Sequence, residues 1–370
     1  MTMLALPSTR EEAWRWSDLS GLPALAGAPH CARRRPAALP WLDAGVRGKD
    51  EPEASRLLFI DGVFQPEDSN PGPLTIGPVG ASAHGHPLGM LAEGQGWSLA
   101  LGPDHATPGR VEIIHVATGG ANHLSGRIVL AADAQASIVE TFIGDGWANR
   151  LTEIVLGKSA RLMRAVRLAQ TSGFTSLRDQ ANIGEGASLD SIVLGASQAG
   201  SRIDAALTLR GDGAFAEMSG ALLARGEQRH DVHVVVRHAE PGGTSRQVWR
   251  AVTDDAATAS VAARVEVARH AQQTDGEQSL RGLLMKRGAT INLKPELEIF
   301  ADDVKCAHGA TVGELDPAAL FYLASRGVPP VEARSLLTHA FIADALGRIG
   351  EEPVREAFIA EADAWLGAAA

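Results

Sequence analysis

A weak internal repeat is the feature that most constrains the fold of this chain. A small-residue turn followed by an apolar residue recurs every 24 to 30 residues, with one doubled gap. This period is typical of stacked repeats, and one unit has room for two or three short strands but none for a helix. Because a single rung cannot bury its own inner face, such units stack, and the pattern predicts a parallel β-helix. The copies are Ala136-Ser137-Ile138, Ala160-Arg161-Leu162, Ala187-Ser188-Leu189, Gly213-Ala214-Phe215, Ala259-Ser260-Val261 and Ala289-Thr290-Ile291.

Short aliphatic runs lie between the turns and predict the strands. Examples are residues 111–116, 191–194 and 232–236, which are too short for helices and rich in β-branched side chains. We expect a β-helix core over residues 111–312, right-handed by the crossover rule for parallel strands. A sandwich of antiparallel hairpins stays open as an alternative, although the two-residue Asn-Gly and Asp-Gly turns that it favours are sparse.

The two flanks have a different texture. Residues 1–110 predict a helical and irregular N-terminal region, broken by prolines and containing one strand at 56–60. Residues 313–370 predict a C-terminal domain of three helices, the first capped by Asp316 with Pro317 at its first position. The fold class is therefore mainly β, with helical segments on both sides of the solenoid.

Composition excludes several function classes. The net charge is −10, with 44 acidic and 34 basic residues, whereas a nucleic-acid binder needs a basic face. No apolar run approaches the roughly 18 residues of a membrane span. The two cysteines, Cys31 and Cys306, are far apart and form no disulfide framework. We expect a cytoplasmic protein with reduced thiols that binds neither nucleic acid nor membrane.

The most informative segment is residues 297–313, LEIFADDVKCAHGATVG. It resembles the signature of the SufB/SufD family, the β-helical scaffolds of iron–sulfur cluster assembly. SufB-type chains have His-Glu-Ala-Thr at the position of residues 308–311, followed by Phe-Tyr-Cys. This chain has His-Gly-Ala-Thr there and Phe-Tyr-Leu at 321–323, as in the SufD branch. Further matching segments are Glu12 to Asp18, Asp231-Val232-His233, Gln272 to Gln278, Leu283-Leu284, Ser325 to Val328, Ala333-Arg334 and Ala340-Phe341.

The resemblance implies a role and partners. It implies a non-catalytic scaffold in a complex with SufB-like and SufC-like proteins, in which the SufC-like subunit is the ATPase. In isolation such a chain could form a homodimer through outward strand edges, on the surface that a SufB-like partner would use. We expect no cofactor held stably by this chain alone, and at most transient iron or an iron–sulfur cluster in the complex.

Cys306 and His308 are the candidate metal ligands. Residues i and i+2 of a strand point to one face, so the thiol and the imidazole can address one site. Both suit iron or an iron–sulfur unit, but two ligands do not complete a four-ligand site. By the resemblance, a SufB-like partner would supply the remainder at a shared interface. The alternative is that Cys306 only packs, as buried free cysteines often do.

The C-terminal helices are the candidate dock for the SufC-like ATPase. Phe321, Tyr322, Leu337 and Phe341 could supply apolar anchors, with Arg326 and Arg334 at the rim. The alternative is that these ridges form the core between the helices.

Two other function classes are alternatives to this interpretation. A carbohydrate-active β-helix enzyme needs paired carboxylates and aromatic platforms, but Asp302 and Asp303 are adjacent, and aromatic residues make up only 5% of the chain. A self-sufficient metal-binding protein could use His230, His233 and His238.

Overall fold

Two parallel β-sheets packed face to face form the body of the protein. A computed structural model describes residues 6–31, 36–42 and 54–367. Its central part is a parallel β-solenoid of about eight turns, which confirms the predicted β-helix. The antiparallel sandwich is excluded because antiparallel pairing in the described chain is confined to two hairpins and one isolated bridge, all within residues 55–101.

Each turn of the chain adds one strand to each sheet. The first sheet stacks, in order, β1 (Ser55–Ile60), the first part of β5 (Val111–Leu130), the first part of β6 (Gln135–Leu156), β7 (Arg161–Leu168), β9 (Ser188–Gly195), β11 (Phe215–Ala224), β13 (Thr244–Thr253), β15 (Thr274–Leu284) and β17 (Val304–Gly313). The second sheet stacks β4 (Gly94–Leu101), the second parts of β5 and β6, β8 (Phe174–Ile183), β10 (Gly200–Leu209), β12 (Arg229–His238), β14 (Thr258–Val267) and β16 (Thr290–Ile299).

Strands begin earlier than the boundary at residue 111 that the sequence suggested. In the predicted helical and irregular region, β1 and β4 pair in parallel with β5 and so belong to the solenoid. Each also forms an antiparallel hairpin, β1 with β2 (Val63–Phe64) and β4 with β3 (Leu74–Val79). The strand at 56–60 was predicted, whereas glycine in β4 and glycine and proline in β3 hide the alternation of those two strands from sequence reasoning. Among the described residues before 111, helical structure is limited to α1 (Leu22–Gly27), α2 (Pro87–Met90) and the 3-10 turns Glu12–Trp14 and Pro66–Asp68.

The repeated small residues lie at the corners of the solenoid. Ala160 and Ala187 are fully buried where the chain turns into β7 and β9. At another corner, glycines stack on one another. Gly146 and Gly173 have φ angles of +112° and +91°, and a Cβ on Gly173 would lie 2.1 Å from the carbonyl oxygen of Gly146. Only glycine combines that conformation with so close an approach of successive turns.

The C-terminal helices cover the outward face of the first sheet. The three predicted helices are confirmed as α3 (Pro317–Ser325), α4 (Pro330–Leu346) and α5 (Glu352–Gly367). Asp316 caps the first by accepting a hydrogen bond of 2.9 Å from the amide of Ala318. Ile342 of α4 and Phe358 of α5 pack with Ile192 and other outward residues of the sheet. A sheet buried on both faces explains its continuous apolar runs. No helix in the described ranges has the length and apolarity needed to cross a membrane.

A chain of charged side chains crosses the interior of the solenoid. Arg164 donates to Glu140 Oε1 at 2.8 Å through Nε and to Asp179 Oδ2 at 2.7 Å through Nη1. His115 Nε2 lies 3.2 Å from Glu140 Oε2, and Arg150 Nε donates to His115 Nδ1 at 3.3 Å. Burial opposes ionisation of Glu140, but Arg164 and His115 outweigh it and lower the pKa of Glu140 to about 2. Burial lowers the pKa of His115 to about 4, which leaves the imidazole neutral at pH 7.

Replacing Arg164 tests whether this interior network is held by its central cation. Arg164→Leu would leave Glu140 and Asp179 buried without their shared partner, and removing one member of a buried pair costs about 3–5 kcal/mol. We expect that loss in the free energy of unfolding, measured by urea denaturation. The control is Lys158→Ala, which removes an exposed pair with Glu185 and should leave the unfolding midpoint unchanged. Equal effects of the two substitutions would contradict the interpretation.

Candidate functional site

The last turn of the solenoid is open on its outer side. β16 pairs with β14 and β17 pairs with β15. On their other edge, neither strand pairs with another strand of the described residues. Apolar side chains are exposed here: Ile299 at 38%, Phe300 at 56% and Val312 at 44%. An exposed strand edge with apolar neighbours is a template for pairing with another chain.

Cys306 and His308 lie on β17 at this open end. Their partners in register on β15 are Gly276 and Gln278. Side chains alternate along a strand, so both ligands share the face that continues through Gln278 and Leu280, which are buried inside the solenoid. His308 is exposed and Cys306 is half-buried. The thiol and the imidazole therefore face the interior of the solenoid at its open end.

The surroundings of Cys306 keep its thiol protonated at neutral pH. Its side chain packs against an apolar cluster that contains Val265, Val267 and Ala271. Burial raises the thiol pKa, the carboxylate of Asp275 raises it further, and a backbone hydrogen bond at Gly276 opposes both. A thiolate would need a cation beside it, such as a metal ion.

Polar residues continue inward from the two candidate ligands. Residues in register on successive strands form a column. The column that ends at Cys306 continues inward through Gly276 to Ser245, whose Oγ lies 2.8 Å from His238 Nε2. The column that ends at His308 runs through Gln278 to Gln247, and both glutamines are at most 1% exposed. Sequence analysis missed them because their shared column follows only from the strand register.

The three histidines of β12 do not converge on one point. His230 is buried with Nδ1 at 2.7 Å from Ser201 Oγ, and His238 contacts Ser245. His233 points to the opposite face, with Nδ1 at 3.5 Å from Asp204. Within residues 6–31, 36–42 and 54–367 no group of three or more His, Cys, Asp or Glu side chains could hold a metal ion. The described residues give the self-sufficient metal site no support.

A second charged network fastens the N-terminal segment to the outward face of the second sheet. Arg202 pairs with Asp204 at 2.6 Å and with Asp231 at 2.5 Å. Its guanidinium lies 4.4 Å from the ring centre of Trp14, and Asp231 accepts a hydrogen bond from Ser17. Residues 12–18 and 231–233 both belong to the segments that carry the family resemblance. They therefore meet at one arginine. Arg202 was missed because it lies in neither segment.

The helical tail presents part of the predicted docking ridge to solvent. Phe321 is 76% exposed and Tyr322 is 56% exposed on α3, which contributes no buried residue. Arg326 lies 5.3 Å from the centre of the Tyr322 ring. Phe341, in contrast, packs against the cluster beneath α4 and belongs to the helix-to-sheet core. The remaining two of the predicted residues lie on α4, the exposed Arg334 and the half-buried Leu337.

The reactivity of Cys306 tests the description of its surroundings. In a Cys31→Ser background, the rate of alkylation by iodoacetamide follows the thiolate fraction of Cys306. Because the folded protein raises this pKa, we expect the pH profile to turn over above the ordinary value of 9.0. The same chain unfolded in urea is the control and should react faster at pH 7. A folded-state inflection at or below 9.0 would contradict the prediction.

Comparison with known proteins gives matches over most of the chain. The family described as "SUF system FeS cluster assembly, SufBD core domain" matches residues 114–341. The iron–sulfur cluster assembly protein SufD of Escherichia coli is 26% identical over 386 residues, covering 96% of this chain and 88% of the relative. An iron–sulfur cluster assembly SufBD family protein of Synechocystis is 29% identical over 393 residues, covering 94% and 84%. SufD of Bacillus subtilis is 26% identical, covering 67% and 59%.

Proposed function

The chain belongs to the SufB/SufD family of iron–sulfur cluster assembly proteins, and we propose that it is the scaffold subunit of a complex with a SufB-like protein and a SufC-like ATPase. In this role it supports iron acquisition or cluster formation at the interface with the SufB-like partner. It carries no catalytic activity of its own. We expect it to work in the cytoplasm, where free thiols such as Cys306 stay reduced.

The observation that carries the proposal is the position of Cys306 and His308 at the open end of the solenoid. Thiolate and imidazole suit iron and iron–sulfur units. Two ligands leave coordination positions unfilled, so a cargo held there has to be shared. The iron ion or cluster is in this view a substrate of assembly, received and passed on at the interface.

The open strand edges suit a second solenoid as the partner. The outer edges of β16 and β17 offer backbone groups to another strand, and the exposed Ile299, Phe300 and Val312 offer apolar area beside them. Pairing there would place the partner's ligands next to Cys306. A homodimer would use the same edges, so it competes with the SufB-like partner in the proposal.

The exposed helix α3 suits the ATPase as a partner. Aromatic anchors with an arginine at the rim are typical of binding hot spots, and Phe321, Tyr322 and Arg326 form such a group. Phe341 has another role, because it packs within the protein. The proposal therefore assigns docking to α3 and the exposed start of α4.

The carbohydrate-active alternative has little support at its suggested carboxylates. Asp302 and Asp303 are exposed neighbours in the bend between β16 and β17. The cluster beside Cys306 is aliphatic and, among the described residues, contributes no aromatic platform. A glycosidase needs two facing carboxyl groups and a sugar-binding surface.

Removing the candidate ligands should empty the complex of iron. We expect Cys306→Ala and His308→Ala each to lower the iron and acid-labile sulfide per complex about tenfold when the chain is co-produced with its SufB-like and SufC-like partners, because metal-site residues typically change affinity by that order. Metal analysis of the purified complex measures the result.

Cys31→Ala is the matched control, since Cys31 is an exposed cysteine outside the solenoid strands and should leave the iron content unchanged. Size-exclusion chromatography checks that each variant still assembles. Full iron content in an intact complex that carries Cys306→Ala and His308→Ala together would reject the proposed role of this pair.

A charge placed on α3 should separate the ATPase from the scaffold. Phe321→Asp removes the most exposed anchor, and truncation of a hot-spot aromatic typically costs at least about 2 kcal/mol of binding. We expect the SufC-like protein to be lost from a pull-down through the tagged chain. Met90→Asp is the control, because Met90 is an exposed apolar residue on α2, away from the tail. Undiminished recovery with Phe321→Asp would refute docking on α3.

A further inference from the structure

Four inward positions at the open end form the corners of a small rectangle. Gly276 faces Cys306 across the ladder between β15 and β17, and Gln278 faces His308. Neighbouring strands lie about 4.8 Å apart, and residues i and i+2 lie about 6.7 Å apart along a strand. Three corners carry donor groups, namely a thiol, an imidazole and an amide. The fourth corner, Gly276, carries no side chain, and a Cβ there would lie 3.4 Å from both Cys306 Sγ and Val265 Cγ1, so the thiol packs beside this position.

The amide of Gln278 lacks the partners that a buried polar group needs. Gln278 is 1% exposed, and neither Oε1 nor Nε2 has a hydrogen-bond partner within the described residues. Burying an amide without a hydrogen bond costs about 1–3 kcal/mol in proteins. One turn deeper, Oε1 of Gln247 is also unpartnered, although its Nε2 reaches the carbonyl of Arg264 at 3.3 Å. The unpartnered amide of Gln278, next to the half-satisfied amide of Gln247, points to a polar guest between this column and the open end.

We propose that Gln278 is a third group of the Cys306–His308 site and that the site takes a ferrous ion, which these three side chains approach beside the side-chain-free backbone of Gly276. This inference rests on the proposed function and deepens it. Thiolate, imidazole and amide oxygen form a mixed donor set that suits ferrous iron. Gln278 either ligates the ion through Oε1 or accepts a hydrogen bond from its water, while Nε2 donates to the thiolate. The remaining coordination positions face the open end and the partner.

The charges around the rectangle favour a cation. The nearest acidic side chains, Asp275 and Glu277, alternate to the outward face, where Arg246 pairs with them at 2.8 Å and 3.5 Å. Inside, the thiolate would be the only negative charge among the four positions. A divalent cation compensates that charge and displaces the thiol proton on binding. A neutral amide adds an oxygen donor without adding a second negative charge to a half-buried site.

Cobalt(II), a spectroscopic substitute for ferrous iron, tests the proposal on the full chain under anaerobic conditions. We expect a thiolate-to-cobalt absorption band with the unaltered chain and no band with Cys306→Ala. Gln278→Leu keeps the side-chain size but removes the donor, and should weaken binding about tenfold. Gly276→Ala should do the same, because its methyl group would contact the Cys306 sulfur and restrict the approach of a metal ion to it. Its Cβ would sit 3.4 Å from Cys306 Sγ, an ordinary contact, so the fold should tolerate it.

Ser191→Ala is the matched control, because Ser191 lies on the same inward column four turns away and also has a buried hydroxyl without a partner. It should leave cobalt affinity within twofold of the unaltered chain. Thermal unfolding supplies a second readout. If Gln278 serves the metal, Gln278→Leu should be at least as stable as the unaltered chain, because it removes an unpaired buried amide.

Three outcomes would overturn the inference. These are no thiolate band with the unaltered chain, affinities within twofold for both Gln278→Leu and Gly276→Ala, or a clear loss of stability in Gln278→Leu with unchanged affinity. Each leaves the proposed function standing if Cys306→Ala and His308→Ala still empty the complex of iron. Full iron in those complexes would instead reject the proposed function, so the two failures are distinguishable.

Discussion

In-register stacking of parallel strands is the constraint on which the structure depends. Every inward side chain lies directly above and below the corresponding residues of neighbouring turns, about 4.8 Å away. Columns must therefore match in size and polarity, which explains the alanines at one corner and the glycines at another. The same rule leaves the last turn unsatisfied, since nothing in the described chain continues its columns. The candidate site lies at that unfinished end, where the thiol is followed inward by Gly276 and Ser245 and the imidazole by two glutamines.

Local patterns made the solenoid, the tail helices and the Cys306–His308 pair predictable. The repeat of small residues predicts the corners of the solenoid, and a two-residue spacing on a strand predicts which side chains share a face. Interior pairings were not predictable in the same way. Arg164 meets Glu140 and Asp179 only because successive turns bring residues 24 and 15 positions away into contact. The missing partners of Gln278 are a property of its burial, which no window of sequence contains.

The N-terminal segment shows how distant motifs are explained by a residue outside them. Trp14 and Ser17 lie some two hundred positions before Asp231, and the three side chains meet around Arg202. Arg202 is 2% exposed, so its charge is compensated by Asp204 and Asp231 rather than by water. Removing Trp14 would uncover a buried ion pair as well as apolar area. The segment therefore acts as a clamp on the second sheet, and its sequence is constrained by the face it covers.

An incomplete ligand set has a physical advantage for a protein that passes metal onward. Closed four-ligand sites hold structural zinc with about 10–16 kcal/mol, which is too tight for ready release. At the end of this solenoid the ion would have two or three ligands from the chain, one of them a thiol whose deprotonation is opposed by burial. In the proposed complex, binding would thus be weakened by the cost of removing that proton and strengthened when a partner contributed further donors. Affinity would then rise on assembly and fall on separation, so that the assembly state of the complex, and not the chain alone, would decide when iron is held.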